Sequence, residues 1–505
     1  MAPLYAVVFL SGAALMGLEI VGSRVLAPVF GTSIFVWGAL ITTFLASLSA
    51  GYALGGKLAD RRPEPALLGR ILLGAGFALW IVLARPAPLL QLCAGAAVPE
   101  RFRALLAALL LFALPSVLMG MVSPFATRLA AREVGTIGKT AGTLAAVSTA
   151  GSIVGTFLMS FFLIPAFPIE PILFGLGAVL VLSGALAARP GLGPRLAVGV
   201  AGLAGAAALF LFRPERVVAP DAGGLVRLRK ETAYHRLLVV DQGNRRALYF
   251  NNLAQGFIDR STGNAPANFF HTGLAASLLF RKELPRNVFA IGLGVGMLPR
   301  FLSEKAPKIA TTTVEIDPEV VRVATDWFGF RPDANDRVLV GDGRALLERE
   351  KGPWDAIFLD AYFSDSIPFH MATREFFELC RQRLSSDGVF AANLGGTLMG
   401  RDQRLFWAML RTAREVFPTV AVFSAELSGG KSRFDGTAIL VASRSPDRLS
   451  RDRVLAEGAR VAAALQEPAV EGWARRLYEG GPKVAGVPTL TDSFSPTEAM
   501  QHLGR

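Results

Sequence analysis

Cysteine and histidine are scarce in this chain of 505 residues. It has two cysteines, Cys93 and Cys380, which lie far apart in the sequence, and only four histidines. A disulfide framework needs an even set of closely spaced cysteines, and zinc sites group cysteine and histidine at short spacings. These scarcities exclude a disulfide-stabilised scaffold and a cysteine-based metal site, and we expect no metal.

Charged residues are also scarce in the first 213 residues, which carry 14 Lys or Arg and 6 Asp or Glu. The remaining residues carry 38 and 34, so the net positive charge comes mostly from the first part of the chain. Because the second part is nearly balanced, the high isoelectric point gives little support for nucleic acid binding. We therefore expect no nucleic-acid partner.

Long apolar runs fill the first part and are absent from the second. A helix that spans a membrane needs about 20 mostly apolar residues. The stretch 86–98 could be a half-span, so we predict a transmembrane helical bundle of about 7–8 spans over residues 1–213. The seven full candidates are 4–24, 34–57, 66–84, 104–127, 140–165, 169–188 and 195–212.

Basic residues follow the second, fourth and sixth of these candidates, which places those loops in the cytoplasm by the positive-inside rule. An odd number of spans then puts the second part of the chain outside, and an even number puts it inside. We predict an even number, which places the second part of the chain in the cytoplasm. We expect a multi-pass protein of the inner (cytoplasmic) membrane, with the lipid bilayer as a partner.

The second part of the chain alternates strand and helix patterns. Residues 214–265 contain short alternating strands around the "DQGN" turn, which predicts a β-hairpin subdomain. Residues 266–505 predict a Rossmann-like α/β domain with a mostly parallel sheet. In the stretch "VFAIGLGVGMLPRFL", glycines 292, 294 and 296 follow a buried strand and allow backbone to approach a ligand.

Acidic residues end the next three predicted strands. Glu315 is placed to bind both ribose hydroxyls of a nucleotide, Asp342 to meet an adenine amino group, and Asp360 to lie at the same edge. Helix caps and loop acids are the alternative interpretation. A dinucleotide site remains open from the glycines and Glu315 alone, although no dehydrogenase residues accompany them.

At these residues the segment 225–445 resembles the spermidine synthase family of aminopropyltransferases. The whole chain resembles the membrane-fused branch of that family, including its apolar first part and the closing "TLTDSFSPTEAM". The motifs that carry the resemblance are "GLGVG", "VEIDPEVV", "DRVLVGDGRALL", "WDAIFLDAYF" and "SSDGVFAANL".

The resemblance implies transfer of an aminopropyl group from decarboxylated S-adenosylmethionine to an amine, with release of methylthioadenosine and without a metal. Glu315 would hold the ribose, Asp342 the adenine, and Asp360 would be the catalytic group at the acceptor amine. A carboxylate can take the proton of an ammonium group and hold the amine in line for attack. The donor-binding set is completed by Gly292, Gly294, Gly296, Gly343 and Gln255.

Other positions match the family less closely. Tyr234 matches a position near the substrate cleft, and Tyr362 and Asp365 follow Asp360, so all three are expected to bind substrate. Asp492 is assigned to the acceptor, with a capped terminal helix as the alternative. His235 and Asp259 lie near family positions, but ordinary strand and turn chemistry also accounts for them.

One departure bears on the donor. Where the family turn carries an aspartate for the aminopropyl amine, this chain has Val295, which cannot pair with an ammonium group. S-adenosylmethionine itself, with a carboxylate beside that amine, suits a valine better. Transfer of a 3-amino-3-carboxypropyl group or of a methyl group is then an alternative.

We therefore predict an integral-membrane transferase that acts on an amine acceptor, either a polyamine or a lipid amine. A methyltransferase on the same fold is one rival. A non-catalytic sensor that controls a transporter-like bundle is another, since "GGKLADRR" resembles a loop motif of major-facilitator transporters. A homodimer is compatible with the sequence.

Overall fold

We describe the protein from a computed structural model. The described residues are 2–30, 34–84, 86–131, 137–188, 202, 224–251, 253–266, 269–362, 367–395, 403–424, 437–447, 449–480, 486–497 and 500. The predicted span 195–212, except Gly202, and the predicted site residue Asp365 lie outside them. The chain divides into two units, Met1–Val217 with Lys230–Ala233, and Val218–Arg229 with Tyr234–Arg505.

The first unit is helical. Prolines begin two of its helices, a position where the missing N–H is tolerated because no helical partner exists for it. A π-helical turn, Met159–Leu163, and a short helix, Ile164–Ala166, extend the seventh helix. The helices are α1 (Ala2–Phe30), α2 (Ile34–Arg61), α3 (Pro65–Ala84), α4 (Pro86–Ala94), α5 (Glu100–Gly120), α6 (Val122–Ala130), α7 (Ile137–Leu158) and α8 (Ile169–Ala187).

Five helical stretches within the described part of the chain are long and apolar enough to cross a membrane. The helix Pro65–Ile81 is apolar but shorter. The predicted number of spans stays a prediction. The five stretches are Pro3–Phe30, Ile34–Arg61, Phe102–Ala130, Ile137–Leu163 and Ile169–Ala187.

Close glycine contacts give the relative directions of these helices. Gly151 and Gly155 of α7 lie against Phe9 and Ala13 of α1, so α1 and α7 run parallel. By the same comparison α2 and α5 are parallel, with Gly51 against Val117 and Gly55 against Met121, whereas α3 and α8 are antiparallel. Small residues permit such close approach of helices in an apolar environment.

The directions place several basic side chains at one end of the unit. Lys57 and Arg61 lie at the end of α2, Arg62 follows it, and Arg128 near the end of α6 lies 3.5 Å from the Asp60 carboxylate. Lys139 begins α7 at the same end, because α6 leads into α7 there.

The second unit begins with a four-stranded sheet in the order β1-β2-β3-β4. The turn Gly243–Asn244 joins β2 and β3, which pair antiparallel as predicted from the sequence, and β4 pairs antiparallel with β3. The strands are β1 (Leu225–Glu231), β2 (Arg236–Gln242), β3 (Arg245–Phe250) and β4 (Leu253–Asp259).

A seven-stranded sheet follows, in the order β10-β11-β9-β8-β5-β6-β7. Strands β9, β8, β5, β6 and β7 are mutually parallel, and β11 runs antiparallel to both of its neighbours. The predicted Rossmann-like domain with a mostly parallel sheet is therefore confirmed. These strands are β5 (Asn287–Ile291), β6 (Ala310–Glu315), β7 (Asp336–Val340), β8 (Trp354–Leu359), β9 (Leu384–Gly395), β10 (Thr419–Ser424) and β11 (Thr437–Ser443).

Helices cover both faces of this sheet, so its strands are apolar on both sides. In β5, Val288 and Ala290 belong to one core cluster, and Phe289 and Ile291 belong to the other. The helices are α9 (Phe270–Ala276), α10 (Met297–Lys305), α11 (Pro318–Phe328), α12 (Gly343–Arg349), α13 (Arg374–Arg383), α14 (Gln403–Val416), α15 (Arg451–Leu465) and α16 (Pro468–Ala474).

Candidate active site

The predicted glycine turn joins β5 to α10 at the carboxyl edge of the sheet. A side chain at Gly292 would collide with the carbonyl oxygen of Asp360. The Gly292 N–H donates to the oxygen of Val314, and the Asp360 N–H donates to the oxygen of Ile291, each over 2.8 Å. The turn is thus joined to the ends of both neighbouring strands. All three glycines have positive φ, which is 100° at Gly292, 55° at Gly294 and 78° at Gly296.

Glu315, the last residue of β6, lies beneath this turn. Its two carboxylate oxygens accept hydrogen bonds from the N–H groups of Leu293 and Asp317, each over 3.1 Å. Burial raises the pKa of Glu315, and these backbone donors oppose that shift. Each carboxylate oxygen has a second lone pair, so Glu315 can still accept a hydrogen bond from a hydroxyl group of a ligand.

Asp360 directly follows β8, the strand beside β5. Burial raises the pKa of its carboxyl to about 7, the Glu315 carboxylate adds to the shift, and a hydrogen bond from Asn393 opposes it. A group that titrates near neutral pH is well suited to accept a proton from an ammonium group and release it again. The position and the pKa both suit a general base.

Asn393 supports Asp360 and was missed by the sequence analysis. Its Nδ2 donates to Oδ1 of Asp360 over 2.8 Å, while its own backbone oxygen accepts from the Tyr362 hydroxyl over 2.7 Å. The Asn393 Oδ1 is buried and has no hydrogen-bond partner within the described residues. An amide near the carboxyl end of β9, in "FAANL", was the available signal, since β9 lies next to β8.

Asp342 lies one strand beyond Glu315, at the start of α12. Its Oδ1 accepts from the Ala345 N–H over 2.9 Å, which caps the helix. Its Oδ2 lies 2.9 Å from Nε2 of His370, a residue to which the sequence assigned no role. The His370 hydrogen bond is the main cause of the lowered pKa of Asp342.

The predicted site residue Asp492 lies in a closing segment, 486–497, that packs onto the same domain. Its carboxylate accepts two hydrogen bonds from the Arg344 guanidinium, over 2.6 and 2.7 Å. Thr373 adds a hydrogen bond of 2.8 Å. Asp492 therefore lies beside Asp342 and His370, and its role with the acceptor stays a prediction.

Strand β4 brings two further residues to the glycine turn. A β-carbon at Gly256 would lie 2.9 Å from Cγ2 of Val295, so Gly256 packs closely against the turn. Gln255 is the residue before Gly256 in β4. Val295 is buried among apolar side chains.

Gly343 packs against Ile291, and Tyr234 is half-buried just before β2. The binding roles assigned to these residues stay predictions.

Asp259 and His235 have structural surroundings. The Asp259 carboxylate accepts hydrogen bonds from Asn244, Ser261 and the Thr262 N–H, which together hold the turn after β4. The His235 ring stacks on Phe250 with 4.4 Å between the ring centroids. Among the described residues, no group of three or more His, Cys, Asp or Glu side chains is arranged to hold a metal ion.

Comparisons with known proteins identify the family of this chain. A family model described as the spermine/spermidine synthase domain matches residues 268–427. A polyamine aminopropyltransferase of Vibrio vulnificus is 32% identical over 237 residues, which cover 45% of this chain and 73% of the relative. The chain belongs to the spermidine synthase family. It is accordingly a transferase of the polyamine aminopropyltransferase type, and the predicted family and enzyme class are confirmed.

This chain is also similar to a methyltransferase. An eEF1A lysine and N-terminal methyltransferase of Bos taurus is 32% identical over 169 residues, covering 30% of this chain and 24% of that protein. Among solved structures, a probable spermidine synthase from Corynebacterium glutamicum is 22% identical and covers 55% of this chain and 98% of its own, with a TM-score of 0.41.

Proposed function

We propose that the protein transfers an aminopropyl or 3-amino-3-carboxypropyl group from an S-adenosylmethionine-type donor to an amine. The nitrogen lone pair of the amine attacks the carbon bound to the donor sulfonium, a new C–N bond forms, and the C–S bond breaks. Its electron pair remains on sulfur, which leaves as neutral methylthioadenosine. Asp360 takes the proton that the amine must lose.

The observation that carries this proposal is the position and pKa of Asp360. Asp360 follows β8 with its backbone oxygen against Gly292 of the turn, and burial raises the pKa of its carboxyl to about 7, near physiological pH. The Oδ1 of Asn393, which has no hydrogen-bond partner among the described residues, would give the ammonium or amine a second acceptor close by. Glu315 and Asp342, on the other side of β5, would hold the ribose and the adenine.

Val295 favours S-adenosylmethionine over its decarboxylated form as the donor. The side chain lies in an apolar core and contacts Gly256, so the turn offers no carboxylate at this position to a free ammonium group. Burying an unpaired charge there would be strongly unfavourable. The donor's own carboxylate beside its amine removes the need for such a partner.

Methyl transfer is the second candidate, and the Bos taurus methyltransferase relative favours it. The same donor and the same sheet edge would serve both reactions. They differ in the atom attacked, and hence in the product: methyl transfer leaves S-adenosylhomocysteine.

We further propose that the helical unit lies in the inner (cytoplasmic) membrane. The five long apolar helices and the basic residues at one end of the unit support this placement, with the basic end in the cytoplasm. A membrane location brings the enzyme to an amine held in or near the bilayer, so the acceptor is a lipid amine or a polyamine.

A product assay tests the reaction. Full-length protein in native membranes is supplied with either S-adenosylmethionine or the decarboxylated donor, and the products are identified by mass spectrometry. Methylthioadenosine from either donor, dependent on an added amine, supports the proposal, whereas S-adenosylhomocysteine identifies a methyltransferase.

The assay is then repeated with Asp360→Asn, which removes the base and keeps the shape of the side chain. Loss of general base catalysis lowers kcat by about 10²- to 10⁴-fold. Asp447→Asn, at an exposed aspartate far along the chain, is the matched control and keeps wild-type turnover. Unchanged kcat in Asp360→Asn would remove the role assigned to this carboxyl.

A further inference from the structure

The loop that carries His370 is held by two other parts of the same domain. His370 lies in a single 3₁₀ turn, Phe369–Met371, between β8 and α13. Arg344 donates to the backbone oxygen of His370 over 2.9 Å. Ser495 donates to the backbone oxygen of Phe369 over 3.0 Å.

Arg344 is in turn fixed by the closing segment 486–497. Its guanidinium forms the two-bond pair with Asp492, a geometry that fixes orientation as well as distance. The backbone N–H of Asp492 donates to Glu375 over 2.9 Å, and the N–H of Arg374 donates to the oxygen of Leu490, which is fully buried. The segment is thus anchored at several points.

Through His370 these contacts reach Oδ2 of Asp342, the carboxylate oxygen that does not cap α12. Oδ1 accepts from the helix cap and Oδ2 meets Nε2 of His370, so each oxygen has one lone pair left for a ligand amino group. A carboxylate oxygen accepts two hydrogen bonds, so the histidine and a ligand can share it. The imidazole then sets the direction of the carboxylate.

We propose that segment 486–497 is a clamp that positions His370, and through it Asp342, for the adenine end of the donor. Asp492 and Arg344 are positioning residues, and His370 is a second residue of the adenine-binding end. This inference rests on the donor site proposed above, and it assigns Asp492 to the donor end of the site, where the sequence had assigned it to the acceptor.

The test measures methylthioadenosine binding to the full-length protein in detergent by isothermal titration, together with KM for the donor and kcat. Asp492→Asn removes the charge and one acceptor oxygen with little change in shape. We expect Kd and KM to rise about 3- to 10-fold, with kcat within about twofold of wild type. The rise is modest because the lost hydrogen bond to a charged group positions the His370 loop and does not contact the ligand. Glu479→Gln breaks the exposed Arg451–Glu479 pair of the same domain and is the control that leaves binding unchanged.

A double-mutant cycle separates positioning from a general loss of stability. His370→Ala alone should weaken binding by a similar factor. The double variant should have a Kd no higher than that of the single variant with the lower affinity. Additive effects, or a normal Kd in Asp492→Asn, would overturn the clamp. Should Asp492→Asn not fold, Arg344→Lys keeps the charge, loses the two-bond geometry and carries the same expectation.

Wild-type behaviour distinguishes the two proposals. If wild-type protein does not bind methylthioadenosine, the proposed donor site fails, and the clamp fails with it. If the wild type binds methylthioadenosine and the variants bind it with the same Kd, only the clamp is refuted.

Discussion

The side-chain amide of Asn393 donates a hydrogen bond of 2.8 Å to Oδ1 of Asp360, across the boundary between strands β9 and β8. This bond stabilises the ionised carboxylate and opposes the effect of burial on its pKa. The protonation of the proposed base therefore depends on a residue of the next strand.

Replacing Asn393 should change the pH dependence of turnover. Asn393→Ala removes the donor, so the pKa of Asp360 rises further above its present value of about 7. Because the base acts when deprotonated, the ascending limb of the kcat/KM profile should move to higher pH, by about 1 unit for loss of a hydrogen bond to a charged group. Asn393→Gln, which keeps an amide, should move the limb less. An unshifted limb in Asn393→Ala would contradict the assignment of Asp360 as the titrating base.

The buried carboxyl of Asp360 should also make stability depend on pH. Its pKa is raised from 3.8 to about 7 in the folded state, so between these values the unfolded chain releases a proton that the folded chain keeps. The contribution of Asp360 to stability is fully present below about pH 4 and is lost as the pH rises through 7. The melting temperature of Asp360→Asn minus that of wild type should therefore increase from pH 4 to pH 8. A difference that stays constant over this range would show that Asp360 ionises normally.

The close approach of Gly292 to the end of β8 should make the turn intolerant of a side chain. Gly292→Ala places a β-carbon against the Asp360 carbonyl at a φ of 100°, so we expect a loss of about 1–3 kcal/mol in unfolding free energy and loss of donor binding. Gly472→Ala, within helix α16 and with open space around the new β-carbon, is the control and should be neutral or slightly stabilising. Denaturant titration of both variants measures the difference, and equal stability would contradict the expected clash.

The parallel helix pairs predict which loops share a side of the membrane. Glu64, between α2 and α3, lies at the basic end, and Phe167, between α7 and α8, lies at the opposite end. In a Cys93→Ser, Cys380→Ser background, Glu64→Cys should react with a membrane-impermeant maleimide only in inside-out vesicles, and Phe167→Cys only in right-side-out vesicles. Labelling of both from one side would contradict the helix directions, and exchanged sides would contradict the assignment of the basic end to the cytoplasm.

The sequence predicted the parallel strands well where local pattern determines position. Strands β5 to β8 are short, each ends at or next to a glycine or an acid, and parallel strands bring their carboxyl ends to one edge. The sequence alone therefore places Glu315, Asp342 and Asp360 at that edge. Strand β10, "TVAVFS", was missed because it is short and lies at the edge of the sheet next to an antiparallel neighbour.

Contacts between distant segments could not be predicted in this way. His370 meets Asp342 from a loop that has no periodicity, and Asp492 reaches Arg344 from near the end of the chain. A pattern of residue types specifies which face of an element is buried, but it does not specify which side chain from another element will meet it. Asn393 is an intermediate case, since its strand was predicted and its partner was not.

The parallel packing of α1 on α7 has a consequence for how the protein is made. Helix α1 meets its partner α7, through Gly151 and Gly155, only after the five helices between them have been synthesised. Until then α1 has only its less extensive contacts with α2, α4, α5 and α6, and a nascent chain that stops before Ile137 lacks the surface of α7 against which α1 packs. Assembly of the helical unit is in this respect a late event, completed near the end of its synthesis rather than helix by helix.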